Sequence, residues 1–422
     1  MSGLSPIVVD EVDAKVEGTG GADEILVNVD ILELEMDTGD DTLMSIGRID
    51  DLDAGDGDDQ ITLQAGAGEV VTGAGTDRIQ SHGDIQVLET EDATDYILIN
   101  GNVGELNSGA GKDRVTVKGN VGTLETEHGA DFISVTGDVF EIDSGAGKDR
   151  ITVVGNVDRL FSDHGADTIS ITGDVIRIDT DQGQDVVHVE GDVERFDTGR
   201  GHDTVTMTGH VTNMSLDRGN DILTLDGSAT NLDTSRGHDT VEMSGGAEFV
   251  DLGGGNDSFV AGDHIAWLNA GRGHDYVKLE NGGAGYLRFG RGNDTLEANG
   301  HIDTILMAGG HDVVALSDGA SLVVMGAGND TLRAEATGGD WNGGGWTKDT
   351  VFVEQALGEV FFEKEADVLV VIDRDTGART NVSNFEFLAF DNQGATIEDI
   401  MSSFGSEDEV DPTAFGIWDF MA

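Results

Sequence analysis

The chain has 422 residues, 83 acids against 23 bases, a net charge of -60 and no cysteine. That balance excludes nucleic acid and anionic membrane surfaces as natural partners, and the missing cysteine excludes disulfides and thiolate metal sites. Glycine is abundant (63) and proline nearly absent (2), the signature of many positive-φ turns and not of a collagen or a proline-rich linker.

Residues 1–22 are acidic and weakly patterned and are assigned to a leader or cap. They carry no basic region followed by an apolar run, so no N-terminal signal is read, and no stretch of the chain approaches the roughly 20 apolar residues of a membrane span.

From Asp23 a strict repeat takes over. An aspartate returns every 18 residues at Asp23, Asp41, Asp59, Asp77, Asp95, Asp113, Asp131, Asp149, Asp167, Asp185, Asp203, Asp221, Asp239, Asp257 and Asp275. One extra residue precedes Asp294, the frame runs on through Asp312 and Asp330, and a degenerate copy ends at Asp349. Glycine usually stands two before the aspartate, as in Gly111 and Gly147. Apolar residues stand two and four after it (Ile151, Val153) and return at eight and eleven after (Val157, Leu160). Alternation of period two predicts two short strands and two turns per coil.

A single coil cannot bury its apolar face, but a stack can, so residues 23–349 are predicted to be a parallel β-solenoid of about 19 coils. At about 4.8 Å per coil the stack would be on the order of 85–90 Å long. Ser108–Asp143 and Ser144–Asp179 match at 25 of 36 positions, which points to duplication of a two-coil unit. His202, His238, His274 and His311 alternate with Asn220, Asn256, Asn293 and Asn329 just before the framed aspartate and are read as exposed turn residues.

After Ala334 the pattern breaks. Trp341 and Trp346 appear, and nine of the sixteen Phe fall in 350–422. Residues 350–400 are assigned to a C-terminal β cap and 401–422 to a C-terminal secretion signal.

An aspartate in every coil on one edge needs a reason. Stacked carboxylates about 4.8 Å apart repel by roughly 3–4 kcal/mol per pair at an effective dielectric near 20, and over the whole column this exceeds the 5–15 kcal/mol stability of an ordinary domain. Protons or counter-ions relieve it. Hard oxygen donors on flexible turns suit Ca²⁺ better than Mg²⁺, and without cysteine or a regular histidine set zinc is not expected.

The frames GAGKDRVTV, GRGHDTVTM, GGGNDSFVA, GRGNDTLEA and GAGNDTLRA resemble the RTX, or haemolysin-type, calcium-binding nonapeptide GGxGxDxUx, over roughly residues 55–334. The resemblance implies an all-β, right-handed parallel β-roll with aspartate and turn carbonyls of successive coils sharing Ca²⁺. Carried over, the metal ligands are Asp59, Asp77, Asp113, Asp131, Asp149, Asp167, Asp185, Asp203, Asp221, Asp239, Asp257, Asp275, Asp294, Asp312 and Asp330. The second turn reads GNV or GDV, without a ligand-register aspartate, so calcium is expected along one edge only. Alternate first turns replace a glycine with an acid (Glu127, Asp163, Asp181, Asp217), which adds a ligand or weakens the site. NVSNFEFLAF at 381–390 resembles the flank that follows such repeats in type I secreted proteins, which carry an uncleaved C-terminal signal.

No acid–base cluster is read from the sequence, and Arg177, Arg195 and Lys278 look scattered, so no enzyme is expected. The expected function is a secreted calcium-binding structural protein of a surface layer, matrix, filament or adhesin stalk, with Ca²⁺, other copies of itself and cell-surface polysaccharide as partners. The alternative is a carbohydrate-active or carbohydrate-binding β-solenoid. A contiguous stripe of basic and aromatic residues on one face would favour that alternative.

Overall fold

Alternation builds each coil as the sequence predicts. After Asp149 the strand Arg150–Val154 buries Ile151 and Val153, a tight turn follows, and the strand Val157–Phe161 buries Val157 and Leu160. The computed structural model describes residues 7–12, 15–345, 348–355, 359–365, 368–390, 393–403 and 409–410. The chain is a parallel β-solenoid of about 19 turns with 18-residue spacing, divided into two compact units, Met1–Val211 and Thr212–Ala422.

In the N-terminal unit every strand pairs in parallel with the strand one coil away. Ile133 sits opposite Ile151, which sits opposite Ile169, and Ile142 opposite Leu160 opposite Ile178. The core is therefore a set of apolar ladders, each rung fully buried. Stacking begins earlier than the frame suggests. Ile7–Val9 pairs with Glu24–Val27, and Val16–Glu17 with Ile31–Glu35, so the segment assigned to a leader already contributes a coil. At His128–Gly129, Ala146–Gly147, His164–Gly165 and Gln182–Gly183 the first turn itself straightens into a short strand of a separate four-stranded sheet.

The C-terminal unit is built from coils of the same kind. The extra residue lies in the second turn: Val260 pairs with Lys278 at the normal spacing, whereas Ile265 pairs with Ala284, so Glu280–Gly283 absorbs it.

Parallel stacking also outlasts the frame. Gly339–Asn342 pairs with Arg379–Ser383, and Thr350–Val353 with Phe387–Phe390, adding one coil beyond Asp349. An antiparallel hairpin, Val360–Glu365 with Val368–Asp373, is inserted into that coil, and Gln393–Thr396 folds back on Phe387–Phe390. Trp341, Phe362, Phe385 and Phe390 are buried here. The short helix Ile397–Ser403 follows. Trp346 and most of the segment assigned to secretion lie outside the described residues. Among the described residues no helix is long and apolar enough to cross a membrane.

Candidate functional site

The framed aspartates stand where the first turn enters the first strand. All fifteen proposed ligands are buried, none more than 3% exposed. Within each unit the carboxylates reach along the stack. The backbone N–H of Asp59 donates to Oδ1 of Asp77 (2.9 Å), that of Asp113 to Asp131 (2.7 Å), that of Asp257 to Asp275 (3.0 Å) and that of Asp312 to Asp330 (2.9 Å). The irregular spacing does not interrupt the series, because Asp275 donates to Asp294 at 2.9 Å.

Glycine two before the aspartate makes this possible. A Cβ at Gly183 would lie 1.8 Å from the Gly165 carbonyl oxygen and 2.6 Å from Oδ1 of Asp185. The glycine thus clears the path by which the carboxylate meets its neighbour's N–H, a packing reason for the G-x-D spacing that is independent of any metal.

The second oxygen is the unusual one. Oδ2 of Asp113 accepts from Ser108 Oγ at 2.9 Å, and Thr72 serves Asp77. In five successive coils of the C-terminal unit the residue five before the aspartate is apolar: Leu252, Ala270, Phe289, Met307 and Met325 precede Asp257, Asp275, Asp294, Asp312 and Asp330. In those five coils Oδ2 is buried with no hydrogen-bond partner. An ionised carboxylate there is costly. Burial pushes Asp59, Asp113, Asp149, Asp185, Asp257, Asp275 and Asp312 up to about 7, and Asp77, Asp95 and Asp330 up to about 6, against the backbone N–H bond that favours the charged form. Burial also raises Asp41, Asp131, Asp167, Asp239 and Asp294.

Such a row can hold protons near neutral pH or share a hard cation. The donor chemistry fits a cation such as Ca²⁺: a negatively charged oxygen recurs in every coil, and the nearby turn carbonyls are neutral oxygen donors. Among the described residues no three His, Cys, Asp or Glu side chains gather into one metal-binding group. An ion held here would need backbone carbonyls or water to complete its shell.

The other edge is explained without metal. Oδ1 of Asp84 accepts the N–H of Asn102 (2.7 Å), Asn102 serves Asn120 (2.9 Å), Asn120 serves Asp138 (2.9 Å) and Asp138 serves Asn156 (2.9 Å). Asn and Asp interchange because both offer the acceptor Oδ1.

Three features escape the sequence reading. The alternating His and Asn side chains are exposed, as expected, but they also cap backbone. Nδ1 of His238, His274 and His311 accepts the N–H of Asn256, Asn293 and Asn329 at 2.7, 2.7 and 2.9 Å. The acids at Glu127, Asp163, Asp181 and Asp217 occupy left-handed backbone (φ 51–54°) where other coils have glycine. Finally, the aspartate series ends on a glutamate. The N–H of Asp349 donates to Oε2 of Glu386 at 2.6 Å, and the Asp349 carbonyl accepts from the N–H groups of Glu386 and Phe387. Glu386 precedes the alternating strand Phe387–Phe390 as Asp349 precedes Thr350–Val353, a likeness visible in sequence but offset by 37 residues.

The arginines, expected to be scattered, fall into rows. Arg159, Arg177 and Arg195 share one register in the N-terminal unit. In the C-terminal unit Arg218 and Arg236 are paired on the first-turn rim, as are Arg272 and Arg291. No protein-family model matches the chain, and no curated protein matches it.

Proposed function

We propose that this protein is a secreted, calcium-dependent β-solenoid of the haemolysin-type repeat class, serving as a structural element at a cell surface or in an extracellular matrix. The observation that carries the reading is the buried carboxylate oxygen that recurs, without a hydrogen-bond partner, beside Leu252, Ala270, Phe289, Met307 and Met325. A divalent cation neutralises two stacked charges at once, which removes both the desolvation cost and the repulsion between coils.

Asp59, Asp77, Asp113, Asp131, Asp149, Asp167, Asp185, Asp203, Asp221, Asp239, Asp257, Asp275, Asp294, Asp312 and Asp330 would hold the ions, with turn carbonyls completing each shell. Binding energy then becomes folding energy, as it does wherever a metal site does not exist in the unfolded chain. A chain with net charge -60 stays expanded by self-repulsion where calcium is scarce and folds where it is plentiful. The repeats occupy most of the chain, which supports a role for the solenoid itself.

The test is far-UV circular dichroism with light scattering during Ca²⁺ titration of the chelated protein, with Mg²⁺ as control. A coil-to-β transition specific to Ca²⁺ is expected, with scattering that grows if copies associate. A chain fully folded in chelator and indifferent to Ca²⁺ would overturn the calcium reading.

A further inference from the structure

The C-terminal unit carries an outward-facing aromatic row. Phe249, Trp267 and Tyr286 occupy one register on three successive second strands. Phe249 and Trp267 have ring centroids 5.9 Å apart at 47°, and Trp267 and Tyr286 lie 6.4 Å apart and within 3° of parallel. At that distance the parallel rings are offset, not superposed, so part of each ring surface stays uncovered by its neighbour. Phe249 is 53% exposed, and Trp267 and Tyr286 are half-buried.

The same strands run on into arginines. Arg288 lies two residues past Tyr286, in register with Asn269 of the preceding coil. Arg272 and Arg291 follow in the turns, paired with each other across adjacent coils. All three are exposed, and none of their guanidinium groups forms a hydrogen bond or ion pair with any described residue. In a chain with 83 acids against 23 bases, three neighbouring guanidinium groups without a carboxylate are conspicuous. Asp251, the acid nearest in register, is engaged by Asn269 Nδ2 at 2.9 Å.

We propose that Phe249, Trp267 and Tyr286, with Arg272, Arg288 and Arg291, form a binding face for an anionic polysaccharide. Aromatic rings present flat apolar surface to the C–H face of a sugar, and guanidinium forks take carboxylate or sulfate groups in a bidentate manner. Charge complementarity selects a polyanion, and the aromatic row selects a sugar chain over a bare polyanion. The rest of the acidic surface disfavours a ligand as densely charged as nucleic acid. This inference rests on the carbohydrate-binding alternative and is independent of the calcium reading. Cross-strand aromatic pairs also stabilise sheets, and the test separates that role from binding.

The full chain is titrated with short oligogalacturonates, with dextran sulfate, with neutral dextran and with single-stranded DNA, following tryptophan fluorescence and heat. The Ca²⁺ condition is one in which circular dichroism shows the strand signal, so failure of the calcium reading does not masquerade as failure of this one. Binding to one or both acidic glycans is expected, the two arms telling carboxylate from sulfate, with none to dextran. R272Q/R288Q/R291Q and, separately, Trp267→Ala should each weaken binding about tenfold or more with unchanged dichroism. Tyr286→Ala serves if Trp267→Ala does not fold. The proposal is overturned if neither acidic glycan binds, if dextran or DNA binds as tightly, or if the folded aromatic variants bind as the wild type does.

Discussion

The backbone N–H of Asp239 donates to Oδ1 of Asp257 at 2.9 Å, while Oδ2 of the same Asp257 has no partner in a site flanked by Leu252. One carboxylate thus has a structural half and an unsatisfied half. Its first oxygen ties two coils together, and its second sets the protein's response to protons and cations.

That response has a definite sign. Folded-state values near 7 for Asp59, Asp113, Asp257 and Asp312 lie above the ordinary carboxylate value of 3.8, so the folded state binds these protons more tightly than the unfolded one. Stability of the cation-free protein is therefore full below pH 4 from this source and falls as pH rises from about 4 to about 7. A tenfold difference in proton affinity between the folded and unfolded chain is worth about 1.4 kcal/mol, so a few such groups rival the 5–15 kcal/mol of an ordinary domain. Thermal melts in chelator should show a higher Tm at pH 5 than at pH 8, with Ca²⁺ narrowing the gap. A Tm that rises with pH would contradict the burial argument.

Asp257→Asn separates the two halves of the carboxylate. The amide keeps the Oδ1 acceptor for Asp239 and removes the charge, but leaves a buried amide N–H₂ at a cost of about 1–3 kcal/mol. Holding the aspartate charged at pH 8 costs about 4 kcal/mol, because burial moves its titration from 3.8 to about 7. In chelator the variant is expected to be more stable than wild type at pH 8 and less stable at pH 5, read from denaturant midpoints. Its gain in midpoint on adding Ca²⁺ should be smaller than wild type's.

Asp181→Gly and Asp217→Gly test the strained turns. Both residues sit at φ 53–54°, where an L side chain costs about 1–2 kcal/mol that glycine avoids. In chelator each variant should gain on the order of 1 kcal/mol. If the acids also serve as ligands, calcium affinity drops in the same variants, and a titration followed by dichroism distinguishes the two effects.

The reverse substitution should fail. Gly145 has φ 66°, and a Cβ there would lie 1.6 Å from the Glu127 carbonyl oxygen, which is backbone and cannot swing aside. Gly145→Ala is expected to lose several kcal/mol, or to unfold locally, by denaturant melt.

Glu386→Ala should expose the end of the series. It removes the acceptor of the Asp349 N–H in a part-buried position, for an expected loss of about 1–3 kcal/mol concentrated in the last coils. Hydrogen exchange should speed up at Asp349 and in Phe387–Phe390 while the early coils keep their protection. Uniform loss of protection would argue against a local end cap.

The coils were legible because their signals are local. Period-two alternation put Ile151, Val153, Val157 and Leu160 in the core, and turn glycines marked each reversal. The framed aspartate was legible as a position but not as a hydrogen-bond acceptor, since its partner is the same residue 18 places away and leaves no contrast in composition. The Asn and Asp mixture of the second turn did carry a signal: interchange of amide and carboxylate favours a shared acceptor over a metal. Glu386 was hidden by the hairpin that precedes it, which replaces the 18-residue step with one of 37. The basic and aromatic rows escaped because Trp267, Tyr286, Arg272 and Arg291 neighbour one another only once the coils are laid in register.

The two side-chain ladders run in opposite senses. In the framed-aspartate ladder a coil takes its acceptor from the coil that follows, as Asp113 does from Asp131; in the second-turn ladder, as in the His and Asn row beside the aspartates, it takes one from the coil before, as Asn120 does from Asn102 and Asn256 from His238. Where both ladders run, as in the coils between Asn102 and Asn156, a coil presents the same donor and acceptor faces to both neighbours, and such an array can change length by whole coils. Duplication of an intact pair, as in Ser108–Asp143 and Ser144–Asp179, keeps every step at 18 residues, whereas a single extra residue needs slack in a turn, as at Glu280–Gly283 and in the turn before Asp349, which follows Asp330 by 19 residues. Within a run of uniform 18-residue steps the stack is a lattice with one lattice constant, and inserting or removing a whole coil there keeps the register of its neighbours.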